Sequence, residues 1–204
     1  MKVIGITGGT GTGKTTALRV IEKMGGIGID ADKVYHDLLE NSDKMKTELS
    51  HVFPGAVSGG EIDRRLLASI VFKSAFLLRV LNNLTHRYVI DEIKKTLVSA
   101  EKNGIKYAAI DAVELIESGC AALCDICIGV IAPKDVRVRR VMNREGVSEH
   151  YASMRVDGQK PDSYYEEKCD IVICNDFDTQ AQFEARCAEI LMQYWENDYG
   201  QLVV

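Results

Sequence analysis

Residues Gly8-Gly9-Thr10-Gly11-Thr12-Gly13-Lys14-Thr15 fit the pattern G-x-x-x-x-G-K-[ST], a spacing suited to holding a polyphosphate. The glycines let the backbone fold around an anion without Cβ clashes, turning N–H groups and the positive end of the next helix toward it. Gly9, Gly11, Thr12, Gly13, Lys14, Thr15 and Thr16 are therefore the candidate nucleotide contacts, with ATP as the expected nucleotide. Lys14 would reach the β- and γ-phosphates, and Thr15 Oγ would ligate Mg²⁺. A glycine-rich turn with no ligand is the poorer reading, because strand, complete motif and helix coincide.

Two carboxylates, Asp30 and Asp32, follow the second strand-like run at the edge where open α/β sheets bind ligands. Phosphoryl transfer needs a group to accept or orient the acceptor's proton, and it needs metal ligands. Asp30 and Asp32 could divide those tasks, or one of them could start a helix, as Asp favours N-caps and first turns. Asp111 ends a third strand-like run and suits a water-mediated Mg²⁺ contact, and Glu117 follows it. Arg140 and Arg144 lie four apart, hence on one helix face, with Arg155 further on. A solvated basic face explains single arginines, but the group also suits charge accumulating on a migrating phosphoryl.

These residues require a parallel sheet to present them. Strand-like runs occur at Val3–Thr7, Gly26–Ile29, Tyr107–Ile110, Ile126–Ile131 and Asp170–Ile173, with helical stretches between them. The expected fold is α/β, of the P-loop NTPase type: a five-stranded parallel sheet flanked by helices. Long helical patterns occupy Asp32–His51 and Ala75–Lys102, joined by a turn-rich piece from Phe53 to Gly60. Residues 32–103 exceed what one crossover needs and predict a helical acceptor-binding insertion. A helix starts near Pro133, and the polar stretch Glu145–Lys168, without strong periodicity, predicts a loop-rich lid within about 140–168. The last helix is expected over Thr179–Trp195. All of 1–204 is read as a single kinase domain.

The net charge of -5 argues against a general nucleic-acid binder. No apolar run approaches the ~20 residues needed to cross a bilayer, and Met1-Lys2 enters the first strand directly, so a cytoplasmic protein is expected. Six cysteines read as reduced thiols. Cys120, Cys124 and Cys127 lack a clear fourth ligand and are expected as small hydrophobes.

Several separated motifs resemble dephospho-coenzyme A kinases. They are Thr7-Gly8-Gly9-x-Gly11-x-Gly13-Lys14; Ile29-Asp30-Ala31-Asp32 with His36; and Ile62-Asp63-Arg64-x-x-Leu67-Ala68-x-Ile70-Val71-Phe72. Leu81-Asn82-x-Leu84-Thr85-His86, Glu117-Ser118-Gly119, Arg140-x-x-x-Arg144, Arg155-x-x-x-Gln159 and Cys169-Asp170-x-Val172-Ile173-x-Asn175 complete the set. The resemblance implies Asp32 as catalytic base, with Lys14 and Arg140 on the transferring phosphoryl and Arg144 on the nucleotide. It implies that dephospho-coenzyme A is the acceptor, with substrate contacts at Asp30, His36, Arg64, His86, Asp111, Glu117 and Arg155. The protein would be a monomer or small homo-oligomer. Where the family usually has Pro-Leu-Leu, this chain has Val113-Glu114-Leu115, which adds a charge in a segment expected to face the acceptor, where it would either alter acceptor contacts or lie harmlessly in solvent. Rival readings are a kinase of another nucleotide or small hydroxyl metabolite, a nucleotide-dependent switch, and a quiet coenzyme-binding regulator.

Overall fold

The computed structural model describes residues 1–196. β1 (Lys2–Thr7) is buried from Val3 onward and stands at the middle of a five-stranded sheet. Its apolar, largely β-branched sequence suits a strand covered on both faces. β2 (Ile27–Asp30), β5 (Tyr107–Asp111), β6 (Ile126–Ile131) and β7 (Ile171–Cys174) complete the sheet in the order β2-β5-β1-β6-β7, every pairing parallel. The register sets Asp30 against Asp111 at the carboxyl ends of β2 and β5, with Ile6 of β1 opposite Asp111.

Helices α1 (Lys14–Lys23) and α9 (Gln180–Glu196) cover one face of the sheet. Ala17, Ile21, Phe183, Cys187 and Leu191 pack there against Ile4, Ile6, Ile128 and Val130. On the other face lies α5 (Ala75–Lys102), about 42 Å long at helical rise. Its inward stripe is Leu81, Thr85, Val89, Ile93 and Leu97, steps of four that hold one side of the helix. Val89, Ile93 and Leu97 join the sheet core, whereas Leu81 joins a separate core with Met45, Leu49, Phe53 and Leu67. That second core is built by α2 (Ala31–Asn41), α3 (Asp43–Val52), the hairpin β3 (Val57–Ser58) and β4 (Glu61–Ile62), and α4 (Arg64–Val71).

Two expectations are corrected here. The pattern over Asp32–His51 is two helices, because Ser42 is extended and its hydroxyl accepts from Met45 N, starting a new helix. Glu145–Lys168 is helical where a loop-rich stretch was expected. α6 (Lys134–Glu145) is followed by α7 (Glu149–Asp157), begun by Ser148, whose hydroxyl accepts from Tyr151 N, and by α8 (Asp162–Lys168). Ala152 and Val156 of α7 pack on Val138 and Val141 of α6, and Tyr165 of α8 is buried against β6.

Cys120 and Cys127 are buried and Cys124 is half-buried. A Cβ placed on Gly5 would meet Leu115 and the sulfurs of Cys124 and Cys127, so these side chains fill the space over β1. Among the described residues no helix is long and apolar enough to cross a membrane.

Candidate active site

The phosphate loop leaves β1 at Gly8 and becomes α1 at Gly13, whose φ of 109° suits glycine. A Cβ there would come within 2.4 Å of Asn175 Nδ2. The loop is strapped down from outside its own sequence. Arg137, buried on α6, donates from Nε to Thr10 O at 3.0 Å and from a terminal nitrogen to Gln159 Oε1 at 2.7 Å. The same Gln159 oxygen accepts from Thr10 N at 2.6 Å. Asn175, just past β7, donates from Nδ2 to Thr12 O at 2.7 Å. Arg140 donates to Gly11 O at 3.2 Å and to Asn175 Oδ1 at 3.2 Å. Burial lowers its pKa, with Arg139 adding to the effect.

Thr12 itself is buried and donates to Gly9 O at 2.9 Å, so its hydroxyl braces the loop. Lys14 Nζ donates to Gly8 O at 3.0 Å and Gly9 O at 3.3 Å. It bends over the loop it would share with a phosphate. A cavity of about 500 Å³ lies above, walled by Gly11, Gly13, Lys14, Thr15, Asp30, Asp32, Asp111, Arg140, Arg144 and Arg155 among others. Gly9, Thr12 and Thr16 do not line it.

Asp111 and Asp32 share the Lys14 ammonium, and Asp30 adds a third carboxylate beside them. Burial pushes the Asp111 carboxyl up to about 6, with Lys14 opposing and Asp30 and Asp32 reinforcing the rise. Asp32 is raised as well, first by burial and then by Asp30. Burial lowers Lys14 against the pull of Asp111 and Asp32. Asp30 Oδ1 accepts from Lys33 N at 3.0 Å and caps α2. The helix-start task falls to Asp30, and Asp32 sits in the first turn that follows.

A second cavity, about 320 Å³, adjoins the first. Ala31, Tyr35, Asn82, Thr85, His86, Val89, Ala112, Glu114 and Ser118 are among its walls, and Asp32 and Val113 line both cavities. Asn82, Thr85, His86 and Val89 reach it from one face of α5, a three-and-four spacing readable in the sequence. His86 Nε2 lies 3.7 Å from Glu114 Oε2. Burial holds the His86 imidazole below its ordinary range, against the pull of Glu114 and Glu117.

Three expected substrate contacts stand off both cavities. Glu117 accepts from Tyr164 Oη at 2.9 Å and pairs with Lys160 at 3.6 Å, tying it to α8 and the residues before it. Arg64 pairs with Glu40 at 3.0 Å and approaches His36 Nδ1 at 3.4 Å, so these two form a cluster beside Tyr35. Between α6 and α7, Glu145 bridges Arg144 and Arg155, and Arg144 also donates to Thr10 Oγ1 at 3.2 Å. Sequence reasoning did not single out Arg137, whose place under the loop is set by Thr10 and Gln159 from distant parts of the chain. Gln159 and Asn175 carried a signal only through the motifs they belong to.

A phosphate loop at the carboxyl edge of a parallel sheet, a cationic helix beside it and an adjoining second cavity define a P-loop phosphotransferase. Shikimate kinase from Acinetobacter baumannii has the same fold, with a TM-score of 0.54 at 13% identity over 98% of this chain and 96% of its own. The family model for dephospho-CoA kinase matches residues 2–181, and the chain belongs to that family. It is similar to dephospho-CoA kinase from Dehalococcoides mccartyi, 36% identical over 177 residues, which is 86% of this chain and 89% of that one. The solved dephospho-CoA kinase from Campylobacter jejuni superposes with a TM-score of 0.67 at 25% identity, over 98% of this chain and all of that chain (100%).

Proposed function

We propose that this enzyme transfers the γ-phosphate of ATP to the ribose 3′-hydroxyl of dephospho-coenzyme A, giving ADP and coenzyme A. The observation that carries the reading is Asp32, a carboxylate on the wall common to the phosphate cavity and the second cavity. An acceptor in the second cavity with its hydroxyl at Asp32 would face a triphosphate on the loop. Asp32 accepts or orients the hydroxyl proton. Its raised pKa suits it to hold that proton as the oxygen–phosphorus bond forms, while Lys14 and Arg140 balance charge on the migrating phosphoryl.

Thr15, Asp30 and Asp111 offer only oxygen donors on one cavity wall, a set that fits a hard cation such as Mg²⁺. Bound there, the ion would neutralise phosphate charge. Asp111, whose carboxyl burial, reinforced by Asp30 and Asp32, pushes up to about 6, would then be held as the anion. We assign 32–103 as the acceptor wall and 140–168 as the lid within one kinase domain, in a cytoplasmic enzyme.

The test is ADP release by purified protein with ATP and Mg²⁺, with and without dephospho-coenzyme A. Acceptor-dependent release with a 3′-phosphorylated product supports the assignment. Release that depends on another hydroxyl acceptor, with none on dephospho-coenzyme A, refutes it.

A further inference from the structure

The second cavity is electrically lopsided. On its α5 side, Glu114 stands 3.7 Å from His86, and both line the wall. Glu114 is 58% exposed, whereas His86 is 22% exposed. On the α2 side the wall is Tyr35, whose phenol lies within the field of Arg64. Arg64 is itself half exposed and held by Glu40 and His36. One end of the cavity therefore presents a carboxylate and a histidine that burial biases toward the neutral form. The other end lies next to a guanidinium.

We propose that Glu114 is a specificity residue that reads a neutral hydrogen-bond donor on the acceptor's nucleoside, and that its charge sets the direction in which the acceptor lies. This rests on the assignment of dephospho-coenzyme A to the second cavity. That acceptor carries two kinds of group with opposite preferences. Its diphosphate is repelled by a carboxylate and drawn toward Arg64. Its nucleoside, with one hydroxyl at Asp32, retains the exocyclic amine of the base and the 2′-hydroxyl, either of which can donate to a carboxylate oxygen. A charge-assisted bond to Glu114 satisfies one of these donors, and the reversed orientation would bring two anions together.

The experiment measures the KM for dephospho-coenzyme A and for ATP in the wild type, Glu114→Gln and Glu114→Leu. Two acceptor analogues are included, one with the base amine replaced by a carbonyl and one lacking the 2′-hydroxyl. Loss of a charge-assisted bond at a partly exposed site is expected to raise the acceptor KM about tenfold in Glu114→Leu. Glu114→Gln, which keeps an acceptor oxygen, should show a smaller rise, and the KM for ATP should stay as in the wild type. The wild type should discriminate against one of the two analogues, and that discrimination should collapse in Glu114→Leu. A base-amine effect and a 2′-hydroxyl effect each identify the donor. An unchanged or lowered acceptor KM in Glu114→Leu, or discrimination that is absent or survives the substitution, overturns the proposal. If the wild type does not turn over dephospho-coenzyme A at all, it is the substrate assignment that falls.

Discussion

Replacing Asp111 by Asn should change how stability depends on pH, and the size of the effect follows from the burial of its carboxyl. In the folded chain the group titrates at about 6, against 3.8 for the unperturbed side chain. Two units and a little more, at 1.36 kcal/mol each, make about 3 kcal/mol. The sign follows from proton counting. Between pH 4 and 6 the folded state binds the proton more tightly than the unfolded chain, so stability falls as pH rises through that window. The favourable contribution is complete below the unfolded pKa and gone above the folded one. Asn cannot ionise, so the variant lacks this decline. The stability difference, variant minus wild type, should grow by about 2.5 kcal/mol between pH 4 and pH 7, the rest of the total lying below pH 4. Its absolute level will be offset, because Asn also leaves Lys14 without the largest of its attractive partners. That offset is constant across the window if Lys14 stays protonated there. Urea unfolding at several pH values without divalent cation measures the slope. A difference that is flat with pH, or that shrinks as pH rises, would refute the account of Asp111 as a carboxyl raised by burial.

Asp32→Asn should lower acceptor-dependent ADP release at least ~100-fold while nucleotide binding, followed by fluorescence titration, holds. Turnover near wild type would remove Asp32 from the proton-accepting role. Gly13→Ala places a Cβ at a φ of 109° and within 2.4 Å of Asn175 Nδ2, and should cost more than ~1 kcal/mol in thermal unfolding, with weakened ATP binding. Arg137→Lys keeps the charge but loses the fork that joins Thr10 O to Gln159. It should weaken ATP binding by roughly tenfold or more, and wild-type affinity by calorimetry would show that the strap is dispensable.

Much of the frame was legible before any coordinates. Ile126–Ile131 and Ala75–Lys102 have the bounds expected, because the first is a short apolar run between turns and the second starts at Ser74 and stops before Gly104. The phosphate loop needed only its own spacing. What escaped was structure made by polar residues. Ser42 and Ser148 are start signals within stretches whose apolar pattern is either continuous or weak, so periodicity outweighed them. α7 and α8 are anchored by few apolar contacts, Ala152, Val156 and Tyr165, too sparse to show a period. In the site, Gly11, Gly13, Lys14, Thr15 and Asp32 line the cavity at the sheet's carboxyl edge, whereas Gly9, Thr12 and Thr16, also expected as contacts, do not. Arg137, Gln159 and Asn175 are not readable in that way, because a partner 22 to 163 positions distant defines each bond. Glu117, His36 and Arg64 do not form the wall of the second cavity, a distinction that spacing along a chain does not carry.

Asp32 and Val113 form a wall shared by the two cavities, so a nucleotide over the phosphate loop and an acceptor in the second cavity would sit side by side. Both must be present together for the hydroxyl to meet the phosphoryl. Initial-rate plots against one substrate at fixed levels of the other should therefore intersect rather than run parallel, the behaviour of a ternary complex.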